Sequence, residues 1–68
     1  MEKSKFFNHF IKNVKVGHLK AIRQDILEQC DVSLTAYSKW VHGTATPRKK
    51  NQQTINYIAH KYGYETVY

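Results

Sequence analysis

Two stretches whose apolar residues recur at helical spacing are separated by only three residues, Asp31-Val32-Ser33. That interval is too short to carry the chain across a domain, so the second helix must turn sharply against the first. Before the break, Leu19, Ile22, Ile26, Leu27 and Cys30 share one face, with Lys20, Arg23, Gln24 and Glu28 mostly outside it, which predicts a helix over about 18–30. After it, Ser33 has the chemistry of an N-cap, its hydroxyl taking an orphan amide of the first turn. The spacing then predicts a short helix over Leu34–His42, packed through Tyr37, Trp40 and Val41. Gly43 can take the left-handed conformation that ends it.

The same periodicity marks two more helices. Phe6, Phe7, Phe10, Ile11 and Val14 form one face of a helix predicted over Ser4–Lys15, with Lys5, Lys12 and Lys15 off that face, and the Val16-Gly17 pair is expected to interrupt it. Ile55, Ile58, Ala59 and Tyr62 form the stripe of a last helix near 52–62, stopped by Gly63. After Gly43, "TATPRKKN" reads as a basic loop before that last helix, its proline preventing continuation of the helix over 34–42. The tail, 63–68, contains "YETVY", strand-like in composition but with no legible partner. The fold class expected is all-α, one small four-helix domain. A chain of 68 residues buries only about 60% of its unfolded surface and cannot support two cores.

Charge narrows the function. Eleven Lys and Arg against five Asp and Glu give +6, a balance suited to a polyanionic partner. No acidic residue occurs between Val32 and Tyr64, whereas Lys39, Arg48, Lys49, Lys50 and Lys61 all do. Cys30 is the only cysteine, so no intramolecular disulfide supports the fold and packing must, as in a reducing cytoplasm. The N-terminal segment mixes apolar residues with lysines and histidine, unlike a signal peptide or a membrane span. A cytoplasmic protein is the expectation.

Two helices joined by a three-residue turn, the second short and polar on one side, form the helix-turn-helix pattern. From Asp31 to Gly43 the string "DVSLTAYSKWVHG" resembles the helix-turn-helix of phage-repressor and Cro-like (Xre-type) regulators. In that family a turn residue and a "VS"-like pair lead into the recognition helix, with an apolar residue six places after the turn, tryptophan or leucine nine after and glycine twelve after. Tyr37, Trp40 and Gly43 hold those places here. The resemblance implies a lambda-repressor-like fold and sequence-specific binding of double-stranded DNA in transcriptional regulation. It puts Leu34, Thr35, Ser38 and Lys39 on the base-reading side, Ser33 near a phosphate, and Arg23 where the preceding helix meets the backbone. The loop after Gly43 resembles the family's backbone-contacting loop, making Thr44, Thr46, Arg48, Lys49 and Lys50 phosphate contacts.

The residue chemistry is consistent with those roles: lysine donates to guanine O6 or N7, hydroxyls donate or accept, and leucine covers a thymine methyl. His42, in the last turn of its helix, suits the negative end of the helix dipole and can reach a phosphate when protonated. The sequence leaves the family pattern at two places: Asp31, where glycine is common, and Leu27, where alanine is common. A fifth helix, used by many repressor domains for packing or dimerisation, is not legible here.

Plainer explanations fit some of the same residues. Tyr37 and Trp40 belong to the core under any function, Leu34 suits a protein contact as well as a thymine, and Arg48-Lys49-Lys50 alone is a solvated basic run. A small helical protein-interaction module, or an RNA-binding domain using the basic loop and exposed tyrosines, are the alternatives. His9, His18, His42, His60 and Cys30 lack zinc-site spacing. No glycine-rich phosphate loop and no nucleophile beside a base point to an enzyme. A single module buries little surface on DNA, so useful affinity calls for a homodimer or a partner protein.

Overall fold

In the computed structural model the backbone is described for residues 4–68 and side chains from residue 6 onward; the expected outward placement of Lys5 therefore concerns a side chain outside the described residues. Among the described residues the chain forms four helices and no strand. They are α1 (Ser4–Asn13), α2 (Val16–Gln29), α3 (Leu34–His42) and α4 (Lys49–Lys61). α3 packs against α1 and α2, and α2 also packs against α4.

One core draws on all four helices and on Val14 just beyond α1: Phe7 and Phe10, then Ile22 and Ile26, Tyr37 and Trp40, and Ile55, Ile58 and Ala59. Each belongs to an apolar stripe read from spacing. Phe7 is fully buried and meets the Tyr37 and Trp40 rings edge-on, at centroid distances of 5.7 and 6.3 Å and interplanar angles of 85° and 87°. Such pairs contribute about 0.5–1.5 kcal/mol beyond area burial. They fix α3 to α1 by its inner side.

The turn between α2 and α3 is built as its residues dictate. Asp31 takes φ 53°, the left-handed region that asparagine and aspartate tolerate better than most residues. Val32 N–H donates to the Leu27 carbonyl at 3.3 Å. Ser33 caps α3, its Oγ accepting from Ala36 N–H at 3.2 Å. Gly43 ends the helix at φ 77°. Asp31→Gly relieves the one strained non-glycine φ of the described residues and should stabilise by about 0.5–1 kcal/mol net of the extra freedom of the unfolded chain. Thermal denaturation should show Tm rising by about 2–8 °C, whereas Asp31→Val should lower it.

Several helix boundaries depart from expectation. α1 ends at Asn13 rather than Lys15, because the Asn13 amide folds back onto the His9 carbonyl at 2.8 Å and Val14 N–H closes a tight turn onto Ile11. Gly17 does not break the chain. It lies in the first turn of α2, with Lys15 as N-cap, where first-turn amides have no intrahelical partner to lose. α4 starts at Lys49, three residues before the expected 52, and ends at Lys61. Arg48 is its N-cap, and the Gln52 side chain donates to the Pro47 carbonyl at 2.9 Å.

The tail is docked. Asn56 Oδ1 accepts the amides of Val67 and Tyr68, each at 2.9 Å, so one side chain of α4 holds the tail by two backbone groups. Tyr64 packs edge-on against Phe10, and its hydroxyl accepts from Lys15 N–H and lies 2.9 Å from His18 Nδ1. Burial raises the Tyr68 phenol well above its ordinary pKa. Its oxygen is enclosed with no hydrogen-bond partner among the described residues.

Candidate nucleic-acid interface

The core contacts of α3 leave its other side to solvent. Tyr37 and Trp40 point inward, while Leu34 is 58% exposed and Thr35 and Lys39 are exposed. Ser38, expected beside them, is half-buried. No hydrogen bond or ion pair occupies the side chains of Leu34, Thr35, Ser38 or Lys39 among the described residues. A leucine this exposed at the start of a helix leaves more than half of its surface to solvent.

Arg23, exposed on α2, stands beside the same helix. Burial raises the pKa of the Tyr37 hydroxyl, and the nearby Arg23 charge opposes that rise. Ser33 is exposed, but its oxygen already accepts the capping amide, which leaves only its O–H free for a phosphate. Thr44 is similarly committed, its Oγ1 donating to the Lys39 carbonyl at 3.2 Å. In both, the local structure is fixed first.

The expected basic loop becomes the entrance to a helix. Thr44 and Thr46 belong to the connection after Gly43, Arg48 is the N-cap, and Lys49 and Lys50 lie in the first turn of α4. That turn holds no acidic residue, and Arg48 supplies no side-chain cap. Cations at the positive end of a helix are unfavourable by about 0.3–1 kcal/mol each, so this turn is poorly matched to itself and well matched to an anion, which its free amides can also bind.

A cleft of about 560 Å³ lies between this entrance and the turn leading into α3. Thr46, Arg48 and Lys50 line one part, and Cys30, Asp31 and Val32 another. Gln29 and Asn51 also face it; as polar residues with no motif of their own, they carried no signal in the sequence. Burial raises the Cys30 thiol pKa, and its Sγ lies 4.0 Å from the Asn51 carbonyl. Among the described residues the one ion pair is Lys61–Asp25 at 3.2 Å. Arg23, Lys39, Arg48, Lys49 and Lys50 therefore have no carboxylate partner there.

His42 does not join this cleft. It faces a separate groove with His9 and Lys12 of α1. No three of His, Cys, Asp and Glu gather among the described residues in a metal-binding group, and no helix there is long and apolar enough to cross a membrane. Comparison with protein families, curated proteins and solved structures finds no match to the chain.

Proposed function

We propose that the chain is a sequence-specific double-stranded DNA-binding domain of the helix-turn-helix kind, acting in transcriptional regulation. α3 would enter the major groove, and the entrance to α4 would hold backbone phosphates. One observation carries this reading above the others: a capped helix is fixed through Phe7, Tyr37 and Trp40, so its outer residues, Leu34, Thr35 and Lys39, are exposed, with no side-chain hydrogen bond or ion pair among the described residues. Arg48 and Lys50 of the α4 entrance, without ion-pair partners among the described residues, meet the turn into that helix across one cleft. Base edges need side chains presented on a rigid element, and phosphates need unpaired cations and free amides. An RNA-binding surface would call for exposed aromatic rings for stacking beside the basic residues; the aromatic residues of α3 are buried, and the exposed Tyr57 lies on α4, outside the cleft.

Two single substitutions separate the roles. Lys39→Ala should reduce discrimination between a preferred duplex and its base-substituted variants by about 1–3 kcal/mol, with little change for non-specific DNA. Lys49→Ala should weaken all duplexes alike and make the log–log salt slope shallower by about 0.9. Fluorescence anisotropy titrations at two salt concentrations read both effects. Identical behaviour of the two variants would remove the assignment of α3 to base reading.

A further inference from the structure

We infer that the groove between α1 and the end of α3 is a binding site for a small planar organic anion, an aromatic body carrying one carboxylate. Its volume, about 550 Å³, falls within the roughly 300–1,000 Å³ typical of small-molecule sites. Phe6 and Val67 supply the apolar lining, while Lys12, His9 and His42 supply cationic or N–H-donating groups. Among the described residues no Asp or Glu lines it, and Lys12 has no carboxylate partner there. Its described charged groups are of one sign, with Glu65 in the adjoining groove that shares Phe6, His9 and Val67.

The walls are held in place. Asn8 Nδ2 donates to the Val41 carbonyl, tying α1 to the last turn of α3, and Asn56 fixes the backbone at Val67. The Phe6 ring is backed by Tyr68 at a centroid distance of 6.0 Å. A bare inorganic anion would satisfy the polar groups and leave the apolar lining facing water, and a neutral aromatic would do the reverse. A planar aromatic carboxylate uses both. The lysine ammonium and the two imidazoles can each donate to its oxygens, and the ring covers Phe6 and Val67.

The test is a titration of the isotope-labelled 68-residue chain with naphthalene-2-carboxylate, followed by amide chemical shifts without DNA, so its outcome is separate from that of the DNA-binding proposal. The site predicts saturable shifts centred on Asn8, His9, Lys12, His42, Gly43 and Val67. Naphthalene-2-carboxamide, neutral and of the same shape, should bind about tenfold more weakly. Lys12→Gln should weaken the carboxylate about threefold and leave the carboxamide unchanged; a preserved amide spectrum for this variant shows that its fold is intact. Absence of saturable shifts, equal binding of acid and amide, or shifts centred on another surface would overturn the site.

Discussion

Phe7→Ala should destabilise the domain by about 3–5 kcal/mol, the range for deleting a buried phenylalanine. Phe7 is fully buried and touches both anchoring rings of α3, so the loss combines transfer free energy, a cavity and two edge-on aromatic contacts. Stability for a chain of this length is about 3–10 kcal/mol at the usual 0.05–0.15 kcal/mol per residue. The loss is therefore about a third of the total stability at the least and all of it at the most, to be read as a lowered urea midpoint and Tm by circular dichroism. Phe6→Ala is the matched control. Phe6 is half-buried, and its removal should cost clearly less than that of Phe7. Equal costs at the two positions would contradict the placement of Phe7 at the junction of α1 and α3.

Arg48→Ala, Lys49→Ala and Lys50→Ala combined should weaken DNA binding about 100-fold at low salt and remove about 2.7 from the log–log salt slope, at about 0.9 for each phosphate no longer neutralised. None of the three has a carboxylate partner among the described residues, and all three lie at or just inside the start of α4 without acidic neighbours in that turn. Removing them relieves an unfavourable interaction with the helix dipole, so thermal stability should stay level or rise while affinity falls. Opposite signs for stability and binding are what separates a ligand site from a structural one here. Parallel losses in both would mean that the three residues support the fold rather than an anion.

The sequence made some elements legible and hid others for specific physical reasons. α3 was readable to both ends because Ser33 caps it and Gly43 terminates it, and each act leaves a residue type in a fixed place. Asp31 adopts the left-handed backbone that glycine takes without steric cost. The start of α4 was misplaced because Lys49, Lys50 and Asn51 carry no apolar mark and follow a proline. Proline restricts the residue before it and not a helix beginning two residues later. Gly17 misled in the same way, since a glycine in a first turn looks in sequence like a terminator.

The tail was beyond periodicity altogether. Its backbone partner is Asn56, a polar residue eleven and twelve positions away from the amides it accepts, and no short-range pattern encodes such a contact. For the candidate site, residue types were legible and neighbours were not. Leu34, Thr35 and Lys39 were readable as the outer side of a helix because Tyr37 and Trp40 define the inner one. That Thr46, Arg48 and Lys50 share a cleft with Asp31, and that His42 instead faces His9 and Lys12, depends on how α4 and α1 pack. Spacing along one helix cannot supply that.

The central proposal, that α3 reads base sequence, is tested most directly by selecting duplexes from a random pool with the purified chain at low salt, beside a single-stranded RNA control. The prediction is a common motif whose enrichment depends on Lys39 and whose affinity falls steeply with salt, by about 0.9 log units per log unit of salt for each phosphate neutralised. A pool that stays unenriched, or RNA bound as tightly as any duplex, would contradict it.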